Sequence, residues 1–265
     1  MAISAFEILD ITELIFFFPA LFVSAYVVYK HGHRKHLGWR FLVMICLFRL
    51  VGAISSLVSI HHPSQGLTIT YDIMNSFGLS ATLCTALGLL DRVNNGMDGH
   101  GLSPRVFRVL HLPSLAGLIL SIIGSTNVFS SDPSDVSTGF SELKAAVCLF
   151  LVVFIADVLI AGLSFLRIAH VQTGDRRLLF AVVAALPFMA VRMVFSLLCI
   201  FANDPKWFSS WSLERNAIIL HGAMGVLMEA IIVTIFICAG LATDPAVKPL
   251  AHEGKVAYDF SARSV

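Results

Sequence analysis

Charge is what this chain lacks most. Only 13% of its 265 residues are Asp, Glu, Lys or Arg, 57% are hydrophobic, and the mean hydropathy is +0.84. A soluble domain carries about 25% charged residues, so that class is excluded. The net charge of +1 says little about partners. The basic cluster Lys30-His31-Gly32-His33-Arg34-Lys35-His36 reads as a topogenic loop beside a membrane helix rather than as a nucleic-acid patch. Cysteine is sparse as well. Cys46, Cys84, Cys148, Cys199 and Cys238 all fall inside apolar stretches. None sits in an outer loop, where an oxidising compartment would pair it, and no CxxC or Cys/His spacing suggests zinc. All five read as buried small apolar residues. Strong internal repeats, low-complexity tracts, nucleotide loops and DDxxD-type metal-binding carboxylates are also missing.

Long apolar runs are abundant. A membrane-spanning helix needs about 20 predominantly apolar residues, and seven segments qualify, near 11–29, 37–59, 67–90, 109–127, 143–165, 178–201 and 215–241. The predicted fold is therefore all-α, a seven-helix transmembrane bundle over residues 1–243 with a short tail at 244–265. The first run carries Glu7, Asp10 and Glu13 where a signal peptide would carry cations, and it is too long for a signal core, so it counts as the first helix. Basic residues gather in the 30–36 segment, in the 91–108 and 166–177 loops and in the tail. The positive-inside rule then predicts an outer or lumenal N-terminus and a cytosolic C-terminus.

At least five of the seven runs carry an ionisable residue. Each costs roughly 2.5–3.5 kcal/mol at the centre of a bilayer, and such residues mark sites inside the bundle. Helical spacing sorts them onto faces. Arg49 aligns with Gly52 and Ser56, Asp72 with Asn75 and Ser76, Asp157 with Ala161 and Ser164, Arg192 with Ser196, and Glu229 with Gly222 and Gly225 near His221. Pro187 frees a carbonyl ahead of Arg192 and offers a kink. Glu13 shares a stripe with Phe17, Ala20 and Ser24, and also reads simply as the start of the first helix. Depth groups Arg49, Asp72, Arg192, His221 and Glu229 around one cavity in the outer half, with Asp157 deeper and apart. Two arginines face three deep acids, Asp72, Asp157 and Glu229. If each arginine takes one carboxylate, one acid is left over, and an unpaired carboxyl in apolar surroundings stays neutral and can donate a proton. The arginines also read as plain helix locks, and His221 as an interfacial histidine. The 21 phenylalanines face lipid, core or a greasy ligand. Trp207 and Trp211 read either as an interfacial aromatic belt or as a lid.

The runs Phe48-Arg49-Leu50-Val51-Gly52, Leu186-Pro187-Phe188-Met189-Ala190-Val191-Arg192 and Met228-Glu229 before Gly240 resemble a fungal family of small seven-helix membrane proteins. In size, helix number and buried acids the chain is similar to the membrane-bound terpene cyclases of meroterpenoid biosynthesis. That resemblance implies an enzyme without metal or cofactor, in the endoplasmic reticulum, whose partners are the lipid bilayer and an amphiphilic prenylated small molecule. The charge argument names Glu229, Asp72 and Asp157 as candidate catalytic acids, and Arg49, Arg192, His221, Asn75 and Trp211 as candidate substrate contacts. On this reading Glu229→Gln abolishes turnover and leaves expression intact. A receptor of the G-protein-coupled type is the alternative. Asp91-Arg92-Val93 resembles the DRY motif, but the last helix lacks NPxxY and no outer cysteine pair is available. Against a retinal pump, the last helix has no lysine to form a Schiff base. A proton-coupled transporter also suits buried acids and arginines, though no inverted repeat supports it.

Overall fold

The computed structural model of the protein describes residues 5–32, 37–97, 101–202, 207 and 215–243. Seven helices within them are long and apolar enough to cross a membrane, which makes the chain an all-α integral membrane protein in contact with lipid. In order they are α1 (Ala5–His31), α2 (Leu37–His61), α3 (Gln65–Asn95), α4 (Pro104–Val128), α5 (Pro133–Leu166), α6 (Thr173–Phe201) and α7 (Arg215–Ala242).

The helices match the predicted runs but extend past them. α5 begins ten residues before the run expected at 143, because its first turns are polar and invisible to hydropathy. Asp132 caps it by accepting a hydrogen bond from the Ser134 N–H at 3.0 Å, and Pro133 takes the first helical position. Thirty-four residues make a rod of about 51 Å, longer than a hydrocarbon core of about 30 Å. α6 runs on through Pro187.

α3 packs against α2, α4, α5 and α6. It is the least apolar of the seven and the most buried. The two properties belong together, because a helix surrounded by protein needs small residues for close approach rather than a greasy face. Ala81 and Ala86 are buried along it, and the Thr82 and Thr85 hydroxyls donate to the carbonyls of Gly78 and Ala81 one turn back, at 2.8 and 2.7 Å. α4 and α5 close on each other through glycine. A Cβ on Gly139 would lie 2.8 Å from the Gly124 carbonyl oxygen. α1 meets α2 and α7. Its outward stripe of Ile8, Ile15, Phe18, Phe22, Tyr26 and Tyr29 is exposed, as a lipid-facing surface must be.

The cysteine reading needs correction. Cys46 and Cys84 are buried, but Cys148 and Cys238 are exposed and Cys199 is half-buried. Cys148 and Cys238 lie on helix faces turned away from the core, where a small thiol is as acceptable to lipid as to protein. Trp207 is half exposed, while Trp211 and the 244–265 tail lie outside the described residues.

Candidate functional site

Four charged side chains from four helices meet in the bundle. Arg49 of α2 donates through Nη2 to Glu229 Oε2 of α7, and Arg192 of α6 reaches the same oxygen through Nε at 3.4 Å. Arg49 Nη1 also pairs with Glu13 Oε2 of α1 at 3.6 Å. Arg192 is held further by Asn75 Oδ1 of α3 at 2.7 Å and Ser196 Oγ at 3.0 Å. All four charged groups are buried. With both acids ionised the cluster is neutral, which is the arrangement an apolar interior tolerates.

This pairing corrects the expectation of one acid per arginine. Both guanidinium groups converge on Glu229, and the second carboxylate is Glu13, which sequence spacing also allowed as a mere helix start. The signal that could have found it is its stripe. Phe17, Ala20 and Ser24 are all buried, so Glu13 on that face had to be buried too. Glu229 Oε2 is thus the acceptor that both guanidinium groups share.

Gly78 of α3 gives the clamp its room. A Cβ there would stand 2.7 Å from Glu229 Oε1 and 3.6 Å from Arg49 Nε. Those two atoms, with Glu13 Oε1, are buried and make no hydrogen bond among the described residues. An unmet donor and an unmet acceptor therefore face the same point of α3.

A second polar group adjoins the first. Tyr71 Oη and His221 Nε2 lie 2.8 Å apart, both residues buried. His221 Nδ1 has no partner among the described residues. If Tyr71 donates, that nitrogen carries the proton, and if Tyr71 accepts, it is a free base. The charges of Glu13, Arg49, Asp10 and Asp72 all act on Tyr71. Asp10 accepts a hydrogen bond from Ser56 and Asp72 one from Ser125, each at 2.6 Å. His221 opens a π-helical turn over His221–Leu227 that ends just before Glu229. Such wide turns mark functional positions in helices, and this one sets His221 and Glu229 relative to each other. Spacing alone does not reveal the turn, nor the part played by Tyr71.

Asp157 lies elsewhere. It is fully buried on α5, and neither carboxyl oxygen has a hydrogen-bond partner among the described residues. Its charge reaches Cys84, whose thiol lies 3.2 Å from Ser114 Oγ, itself 2.9 Å from Ser80 Oγ.

The opposite end of the bundle carries a third network. Arg92 donates to Asp175 Oδ1 at 3.1 Å and lies 3.1 Å from His31 Nδ1, and His31 Nε2 meets the Gly240 carbonyl at 2.8 Å while its ring stacks on Trp39. Arg177 donates to the Ala242 carbonyl at 2.7 Å, and Lys30 to those of Leu241 and Thr243. Cations thus cap the end of α7, where its free carbonyls concentrate negative potential.

Among the described residues no three His, Cys, Asp or Glu side chains are grouped so as to hold a metal ion. The chain belongs to the family defined by a domain of unknown function, DUF7702, which matches residues 3–246. No curated protein and no solved structure matches it.

Proposed function

We propose that this member of the DUF7702 family is a membrane-bound terpene cyclase, an isomerase of the endoplasmic reticulum that protonates an epoxide or alkene of a prenylated, meroterpenoid-type substrate. The observation that carries the reading is the set of buried acids of α1 and α3, Asp10, Glu13 and Asp72, whose charges act on Tyr71 of the Tyr71–His221 pair, beside a charge-neutral arginine–glutamate clamp inside an apolar bundle. Acid–base chemistry on a greasy substrate needs this combination of positioned proton carriers and apolar walls.

Asp72 is the proton donor in this scheme. Asp72 accepts a hydrogen bond from the Ser125 hydroxyl at 2.6 Å, which fixes the orientation of its carboxyl. The Asp72 proton passes to the epoxide oxygen, the C–O bond breaks, and a tertiary cation forms. An internal alkene supplies its electron pair to make the new C–C bond. The last cation loses a proton from the neighbouring carbon to His221, so mass is unchanged. Glu229 stays ionised between its arginines. Arg192 and Asn75 orient the polar head of the substrate, and aromatic rings face the cation.

Microsomes containing the protein, given epoxidised farnesyl-aromatic substrates, test this by mass and retention time. The expected result is an isomeric product of unchanged mass, reduced at least about 100-fold in Asp72→Asn at equal expression. No conversion across a broad panel by folded protein overturns it.

One observation favours a receptor instead. Arg92 of Asp91-Arg92-Val93 ties α3 to α6 through Asp175, a contact that helix movement would have to break. Agonist-dependent G-protein coupling is the discriminating measurement.

A further inference from the structure

Along their shared seam, three carboxyls of α1 each meet one polar group of α2. Glu7 faces His61 at 3.9 Å, Asp10 accepts from Ser56 at 2.6 Å, and Glu13 pairs with Arg49 at 3.6 Å. The numbers rise on one helix as they fall on the other, so these are successive rungs of one antiparallel seam. On α1 each step of three residues climbs about 4.5 Å, while the partners on α2 stand farther apart, one to two turns. The rungs also descend in exposure. His61 is 66% exposed and Glu7 18%, whereas Asp10 and Glu13 are at 1% and 2%. The partner changes with depth, from imidazole to hydroxyl to guanidinium.

The middle rung is the informative one. The hydrogen-bond partner of Asp10 is a neutral hydroxyl, and the charged groups acting on it are the like-charged Glu13 and Glu7. A buried carboxylate among like charges and without a cation is unstable, and the protonated acid is the form such a place tolerates. Below it, Glu13 Oε1 is buried with no hydrogen-bond partner among the described residues, an open acceptor next to Arg49. Above it, a groove of about 580 Å³ lined by Glu7, Ile11, Leu57, Val58, His61 and His62 opens at the first rung.

We propose that Glu7, Asp10 and Glu13, with His61 and Ser56, form a proton path from the protein surface to the buried arginine–glutamate cluster. A proton arrives from water at His61 or Glu7. Asp10 holds one at rest. Ser56 accepts that proton on its oxygen while its own passes on toward Glu13, and Asp10 is refilled from Glu7. Only O–H and N–H bonds are exchanged, and no electrons move. The path deepens the cyclase reading, because a site that consumes and regenerates an acidic proton needs a supply, but its own test does not require turnover.

Infrared difference spectroscopy of the full chain in lipid nanodiscs reads the stretching band of a protonated carboxyl and its exchange in deuterated water. One component of that band, the Asp10 carboxyl, disappears in Asp10→Asn and persists in Asp72→Asn and Asp157→Asn. In Glu7→Gln the Asp10 component remains, but its deuterium exchange slows, because Glu7 is the group that refills Asp10. A band untouched by Asp10→Asn, or exchange as fast in Glu7→Gln as in the parent, overturns the path. If Asp10→Asn does not elute as a folded protein, the exchange rate in Glu7→Gln decides alone. Failure of cyclisation with this signature intact removes the enzyme reading and leaves the path standing.

Discussion

Glu229 joins α2 and α6 to α7 through one oxygen that two guanidinium groups share. Removing its charge leaves buried cations under-compensated, which costs about 3–5 kcal/mol when one partner of a buried pair is lost. Glu229→Gln is therefore expected to lower expression and the thermal midpoint in detergent, rather than to leave a well-folded inactive protein as the sequence suggested. An unchanged midpoint would remove the clamp from the account. Gly78 is the complementary test. Its added Cβ in Gly78→Ala meets the Glu229 carboxylate at 2.7 Å, and overpacking of this kind costs about 1–3 kcal/mol. A drop in thermal midpoint without loss of expression is expected. Arg49, Arg192, Asn75 and Glu229 were legible as candidates because a polar group in an apolar run is conspicuous. Their partners were not, since a bidentate arginine fits any carboxylate that helix rotation brings near.

At the scale of elements, α5 and α7 depart most from what hydropathy reveals. The first turns of α5 are specified by its cap. Hydrogen bonds from the Ser134 N–H and hydroxyl hold the Asp132 carboxyl below its usual range. An acid so depressed stabilises the fold above its unfolded titration point, and that contribution is lost as pH falls through the lowered folded one. The start of α5 is expected to stay helical at neutral pH and to loosen in strong acid. Asp132→Ala loosens it at neutral pH too, where the parent is still capped. Amide hydrogen exchange over residues 134–137 measures both. In α7 the π-helical turn shifts the register between His221 and Glu229, so a helical wheel drawn at 3.6 residues per turn misplaces one against the other. Tyr71 escaped notice for a related reason: an aromatic residue at a membrane interface is ordinary, and only its contact with His221 makes it part of the site.

For the whole molecule, the networks at the two ends of the bundle differ in kind. One end buries acids, arginines, a tyrosine and a histidine in the core. The other uses Lys30, His31 and Arg177 to cap the last carbonyls of α7, with Arg92 linked to Asp175. Basic residues at that end agree with a cytosolic placement. In sealed microsomes a tag on the N-terminus is expected to resist protease and a tag on the C-terminus to be cut, and the reverse pattern would invert the molecule. Asp175→Asn is expected to weaken the Arg92 link and speed amide exchange at the start of α6, while the acid cluster at the far end keeps its midpoint contribution, because contacts so far apart act independently.

Composition and periodicity by themselves determined that the chain is a membrane bundle of seven helices and which of its polar residues had to turn inward. Both follow from local cost: a bilayer rejects unsatisfied backbone and charge wherever they occur along the chain. Only the tertiary structure decided which inward groups meet. The choice of Glu229 as the shared acceptor, the recruitment of Glu13 and the three rungs between α1 and α2 depend on the depth, rotation and neighbours of helices distant in sequence, whereas the separate place of Asp157 was legible from its depth. Those relations are set by close packing around α3, where small side chains let each helix approach to a distance that no single run specifies.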